Sequence, residues 1–294
     1  MTVAFQLELT DEQVAEFHTD GFVVVQQIAD PDLVARALQK FEPMFRGEFE
    51  TGLYPDEWNW KPGRDRADLT RQICNGWKAD RDIARLVLGE DIGRACARLG
   101  GWPGTRISQD NVLWKPVGGR PLGFHQDAAY DRWAVPVDWV SCWIALDDTT
   151  VDGGTLELVR GSHRWRPWGM IEEFHGPEDP DAELRVAAHT EGRQIDKVAV
   201  VVPAGGGVFH SGRTWHGSGV NHADRPRRSV VAHCTTSEAR FSEHEVGYIY
   251  SRYKKFGSTE MDESFFPITW REDGYRSPFL ADFLAERCGW AGIC

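Results

Sequence analysis

The segment GFHQDAAYD, from Gly123 to Asp131, places a histidine and an aspartate two residues apart. Residues at that spacing on an extended chain face the same side, so His125 and Asp127 can direct an imidazole nitrogen and a carboxylate oxygen at one metal ion. Two donors leave a site incomplete. His216, in FHSGRTWHGSGVN, is the downstream candidate for a third, because the small residues after it permit close approach to an ion; His163, His175 and His189 lie between. Two histidines and one carboxylate hold iron(II) on one face of an octahedron and leave three positions open. With ten histidines in the chain, the spacing alone also admits polar residues on a solvated strand. Arg227 and Arg228, in the run RPRR, weigh against that. They open an apolar strand, where an inward arginine needs an anionic partner. A dicarboxylate reaching from iron to that arginine would serve, held by a bidentate contact.

Several elements must position these residues. Thr10 and Gln13 form a capping-box pattern for a helix ending near Gly21, and Phe22 to Val25 read as a strand. Asp30 and Pro31 cap and open a second helix with Leu33, Val34, Ala37, Leu38, Phe41 and Phe45 at helical spacing. Residues 47–78 form an ordered excursion, the expected lid or pocket wall, with Tyr54, Trp58, Trp60 and Trp77. Helical periodicity returns from Ile83 to Leu99 and stops at Gly100 and Gly101. Beyond it the period shortens. Residues 106–114, 139–146, 155–159, 198–202, 208–210 and 228–235 read as strands separated by turn signals such as VDGG and PAGGG. A mostly antiparallel sandwich or barrel preceded by helices is expected, because no regular strand and helix alternation follows. Residues 172–181 read as a solvated charged insertion, and the chain from Phe241 onward as covering helices and loops.

Composition bounds the partners. A chain of 294 residues with 41% apolar and 27% charged side chains can bury a sizeable core, and a formal charge of −12 disfavours nucleic acid. No run approaches eighteen apolar residues and no signal peptide is recognisable, so no membrane partner and a cytoplasmic location are expected. The six cysteines show no CxxC pair and read as free thiols, while the thirteen tryptophans supply core and rigid pocket walls.

Taken in order, GFHQDAAYD, CWIALDDTTVDGGTLELVRGSHRW and WHGSGVNHADRPRR, together with LTDEQVAEFHTDGFVVV, resemble the phytanoyl-CoA dioxygenase family of iron(II)- and 2-oxoglutarate-dependent oxygenases. The resemblance runs over roughly residues 9–235. It implies a mainly β fold, a double-stranded β-helix (a cupin-like jelly roll) with flanking N-terminal helices. One domain over residues 1–294 is expected, with a helical N-terminal region over residues 1–101, a jelly-roll core about 104–236 and a covering segment 237–294. The family's iron ligands fall on His125, Asp127 and His216, and its 2-oxoglutarate-binding arginine on Arg227, with Arg228 one residue away as the alternative. Trp143, Thr155 and Ser218 match positions near the cosubstrate, and Gln109 is a further candidate there. His163 is expected to orient its turn. Relatives that halogenate replace the acidic ligand by a small residue, so Asp127 favours hydroxylation or a related oxidation over halogenation.

The implied reaction consumes O2 and 2-oxoglutarate at Fe(II), releases succinate and CO2, and oxidises a small molecule such as a natural-product or antibiotic intermediate. Substrate-facing candidates are Asn111, Tyr130, Trp133 and Trp58, with Asp131 beside them at the mouth. Lys115, followed by Pro116, is similar to a basic position near the cosubstrate in some relatives, but reads first as a solvated lysine at a strand end. A monomer or homodimer is expected. Two rival functions carry distinct signatures: a cupin-like isomerase or epimerase would turn over without 2-oxoglutarate, and a non-catalytic binding module would release no succinate.

Overall fold

A computed structural model describes residues 5–285. The Thr10 hydroxyl accepts the Gln13 N–H and the Gln13 side chain accepts the Thr10 N–H, closing the expected capping box on α1 (Asp11–Asp20). Gly21 at φ +86° ends the helix, and β1 (Phe22–Val25) follows directly. Asp30 accepts the N–H groups of Asp32 and Leu33 and opens α2 (Pro31–Phe45), where Pro31 occupies a position that needs no donor. Next come β2 (Glu57–Trp58), β3 (Arg71–Cys74), α3 (Arg81–Val87) and α4 (Glu90–Gly100). The chain then runs through β4 (Gly104–Lys115), β5 (Leu122–His125), β6 (Ala134–Val135), β7 (Val140–Ala145) and β8 (Leu156–Val159). It continues with α5 (Ala182–Glu191), β9 (Lys197–Ala199), β10 (Gly207–Ser211), β11 (His216–Ser218), β12 (Arg227–Thr236) and β13 (Arg240–Phe241). β14 (Ile268–Arg271) and α6 (Leu280–Leu284) complete it.

The strands form two main antiparallel sheets. The larger has the order β1-β10-β7-β12-β4-β3-β2, with β14 added beside β4, and the smaller the order β5-β11-β8-β9. This is the expected jelly roll. Strand alternation gives the large sheet two faces with different jobs. Val140, Cys142 and Ile144 of β7 and Val230, Ala232 and Cys234 of β12 join Phe41, Ile83, Leu86 and Leu99 of the helices in the main core. Each large apolar side chain buried there contributes about 1.5–3 kcal/mol, so the helices hold the outer face rigid. On the inner face Trp143, Ala145, Val208 and Val231 pack with Leu156 and Leu158 of the small sheet.

Three expectations change. The excursion after Gly47 supplies β2 and β3 to the large sheet, and Trp60 and Trp77 turn into the helical core. Residues 172–181 are more than a solvated insertion: Gly123 N–H donates to Phe174 and Phe124 N–H to Pro180, so this segment lies along β5. Its charged side chains face water while its backbone satisfies an edge strand, which composition alone does not reveal. The segment after Phe241 supplies β14 as well as coverage. Cys74, Cys96, Cys142 and Cys234 are buried free thiols, as expected, and Cys288 and Cys294 lie outside the described residues. No helix among the described residues is long and apolar enough to cross a membrane.

Candidate metal centre

His125 ends β5 and His216 begins β11, and the two are direct cross-strand partners with ring centroids 4.2 Å apart. The backbone stays extended through Gln126, so Asp127 falls on the same side as His125 before a 3-10 turn begins. Gln126 points away, bonded to Arg213 O at 2.6 Å and Trp168 N at 2.8 Å. Asp127 Oδ1 lies 3.5 Å from His125 Nε2 and 3.4 Å from His216 Nε2, and one donor atom from each of the three falls within 4.8 Å of the others. His125 Nδ1 meets Gly123 O and His216 Nδ1 meets Thr214 O, both at 2.9 Å. A carbonyl only accepts, so both Nδ1 atoms carry the proton and both Nε2 lone pairs face the centre. Burial and the adjacent His216 keep His125 below the usual histidine range, favouring the neutral ligand form. Burial opposes the charge on Asp127, yet the neighbouring His216 and His233 hold its carboxyl well below the usual range. The donor set fits iron(II).

Behind the ligands runs a hydrogen-bonded chain. Across β4, β12, β7 and β10 the residues in register are Gln109, His233, Ser141 and His210, all on the inner face. Ser141 Oγ donates to Asp127 Oδ2 at 2.8 Å and accepts from His233 Nδ1 at 2.8 Å. His233 Nε2 then accepts from Asn111 Nδ2 at 2.9 Å, and Asn111 Oδ1 accepts from Gln109 and Gln72, each at 3.0 Å. Tyr250 OH donates to Gln109 Oε1. Every link has one donor and one acceptor, which orients the carboxylate of Asp127. Ser141→Ala is therefore expected to weaken iron(II) binding about tenfold to a hundredfold, read by metal titration. Unchanged affinity would remove Ser141 from that role.

The triad lies in a cavity of about 910 Å³ between the sheets. At one wall Arg227, 4% exposed, stands over the Trp143 ring at 5.6 Å. It donates to Ser229 Oγ at 3.0 Å and to Gly154 O at 3.3 Å, and its Nε has no partner among the described residues. Gly154 at φ +61° turns that carbonyl inward, where a Cβ would strike Gly219 O at 2.8 Å. Arg227 forms no ion pair among the described residues; burial pushes its pKa down to about 10, opposed only by the more distant charge of Asp147. Arg228 points to the other face and pairs with Asp147 at 2.7 and 2.9 Å. Lys115, opposite Arg227 on β4, is fully buried and bonds Ser218 Oγ at 2.8 Å, so the expectation of a solvated lysine is corrected. Burial and the charge of Arg227 hold its pKa well below the usual lysine range.

Trp143, Ser218, Gln109, Asn111, Tyr130 and Trp133 all line the cavity. Tyr130 sets its ring edge-on to His125 at 5.9 Å. Trp133 also packs on Tyr250, Phe241 and Phe266. Two candidates do not reach it. Thr155 bonds Val200 O at 2.7 Å, and Trp58 packs on Phe49 and Tyr54 while its strand neighbour Glu57 faces the cavity. His163 sits at its turn against Gly21, away from the triad. Sequence reasoning missed Glu57, Phe174, His175, His210, His233 and Tyr250 as lining residues. The register of His210 and His233 with Ser141 exists only once β7, β10 and β12 are paired. Period-two alternation forward from Arg227 through Val231 was the one available signal for His233.

The jelly roll and the 2-His-1-carboxylate facial triad of His125, Asp127 and His216 define a non-haem site of the iron(II)- and 2-oxoglutarate-dependent oxygenase type. The chain belongs to the phytanoyl-CoA dioxygenase family, whose profile matches residues 17–229. The probable alpha-ketoglutarate-dependent hypophosphite dioxygenase of Stutzerimonas stutzeri is 23% identical over 232 residues, 78% of this chain and 79% of that protein. The carbocyclase SnoK from nogalamycin biosynthesis superposes with a TM-score of 0.68 at 23% identity, covering 89% of this chain and 96% of its own. The epimerase SnoN, solved with Fe3+, alpha ketoglutarate and nogalamycin RO, gives 0.67 at 21% identity, covering 88% and 98%. At these identities the two structures speak for the fold.

Proposed function

We propose that this chain hydroxylates, or otherwise oxidises at carbon, a small-molecule natural-product intermediate, using iron(II), 2-oxoglutarate and O2 and releasing succinate and CO2. The observation that carries this is the buried Arg227, whose hydrogen bonds go only to neutral acceptors, on the wall of the same cavity as the triad. A buried guanidinium without a directly paired carboxylate is costly, and its planar fork matches the far carboxylate of a dicarboxylate. The bound iron and cosubstrate supply the oxidising chemistry that converts a C–H bond to C–OH. The chain's own residues do the positioning. His125, Asp127 and His216 present three donors on one side and leave the cavity side open. Trp143 supplies an apolar floor under Arg227, and Ser218, held by Lys115, offers a hydroxyl beside it. Tyr130 and Phe174 stand around His125 and exclude water from one flank. Asp127 occupies the position that halide would need, which favours hydroxylation over halogenation. The natural-product class draws support from SnoK and SnoN and from a cavity large enough for a polycyclic molecule.

Succinate formation across a panel of candidate metabolites, with and without iron(II), tests this reading. Coupled succinate and oxidised product are expected only with iron(II), 2-oxoglutarate and O2 all present. Product without 2-oxoglutarate would favour the isomerase reading, and no succinate with any substrate the binding module.

A further inference from the structure

The charged groups around the cavity do not balance. Its charged lining residues are Glu57, Asp127, Asp131, Glu245, Arg132 and Arg227. Asp127 belongs to the metal, Arg227 to the cosubstrate under the proposed function, and Arg132 is tied to Glu245 at 2.8 Å. Glu57 and Asp131 form no ion pair among the described residues, and the one titratable group of opposite charge acting on Asp131 there, His233, is shared with Asp127. Asp131 is 7% exposed and takes one hydrogen bond, from the Trp133 indole to Oδ1 at 3.3 Å. Its Oδ2 has no partner among the described residues and is not sealed from the cavity. Glu57 receives only a thiol contact from Cys74 at 3.5 Å and a long one from Asn59 at 3.4 Å. Leaving a buried carboxylate half-satisfied is costly to the fold, so a ligand group that completes it gains strongly. Burial pushes the Asp131 pKa up to about 7, with the charge of Asp127 adding to it, and the nearby His233 offsets this only in part.

We propose that the substrate carries a protonated amine, and that Asp131 is its primary anchor, with Glu57 contributing from the neighbouring wall. A protonated amine offers N–H donors to both carboxylates and sits favourably near the Tyr250 and Trp133 rings, which lie 4.8 Å apart. The net charge of −12 draws a cation inward over a longer range. This proposal rests on the oxygenase reading only in assigning Asp127 and Arg227 to other partners.

Tryptamine, tryptophol and indole-3-acetate share one ring system and differ in charge. Their binding is measured by calorimetry on the full chain, both metal-free and loaded anaerobically with iron(II) and 2-oxoglutarate. Tryptamine is expected to bind on the order of tenfold tighter than tryptophol, and indole-3-acetate weakest. Asp131→Asn should reduce that preference to about twofold or less and Glu57→Gln should reduce it partly, while the melting temperature of Asp131→Asn does not fall. Equal binding of the amine and the alcohol, no binding of any probe at millimolar concentration, or a preference that survives Asp131→Asn would each overturn the proposal. The metal-free comparison keeps the outcomes separable. Failure to load iron(II) and 2-oxoglutarate counts against the proposed function, while the dependence of amine binding on Asp131 is still read.

Discussion

His216→Ala is expected to hold no stoichiometric iron(II) and to form no succinate above background while keeping its fold. The three donors sit on one face, and the two imidazoles come from cross-strand partners in a small sheet. Losing one leaves a single imidazole and a carboxylate, a set that competes poorly with water for a divalent ion. The fold does not depend on this side chain, because the main core lies on the far side of the large sheet, among α2, α3 and α4. His216→Gln keeps most of the volume and should behave alike. Bound iron is counted by metal analysis and folding by circular dichroism. Stoichiometric iron in either variant, with the fold intact, would take His216 out of the site.

Arg227→Ala is expected to raise the KM for 2-oxoglutarate by about thirtyfold or more, since truncating one partner of a buried, hydrogen-bonded charge pair costs at least about 2 kcal/mol. Arg227→Lys should recover only part of the loss, because an ammonium lacks the guanidinium fork. Arg228→Ala is the contrast. Its partner Asp147 is already in place at 2.7 Å, the pair is partly exposed, and removing it costs about 0–1 kcal/mol of stability with no change in KM. Steady-state kinetics with 2-oxoglutarate varied, together with anaerobic titration of the cosubstrate on iron(II)-loaded chain, separates binding from turnover. A larger effect at Arg228 would move the anchor to the other face of β12.

Much of the site was legible because its signals are local. The HxD spacing, the strand after Gly21 and the capping box at Thr10 each depend on residues within one turn or one strand of each other. Alternation also placed Gln109 and Asn111 opposite to Trp114, and Trp114 packs with the helical aromatics Phe41 and Phe45. What escaped was set by partners distant in sequence. Lys115 at a strand end looks solvated until β11 brings Ser218 and Gly219 over it. The tryptophans of the Gly47 excursion look like pocket walls until β2 and β3 join the large sheet, after which Glu57, Gln72 and Cys74 take that place.

The His125–Asp127 pair is a matter of residue type at a short spacing, and the order of motifs along the chain, through the family it resembles, added His216 and the arginine pair. Tertiary structure decided which arginine faces the cavity, since alternation names two faces but only the packing of helices on one of them says which is inside. It also decided how Asp127 is oriented. Ser141, His233 and Asn111 lie on three different strands, and only their antiparallel register, with its irregularity between His233 and Cys234, brings them into one hydrogen-bonded chain.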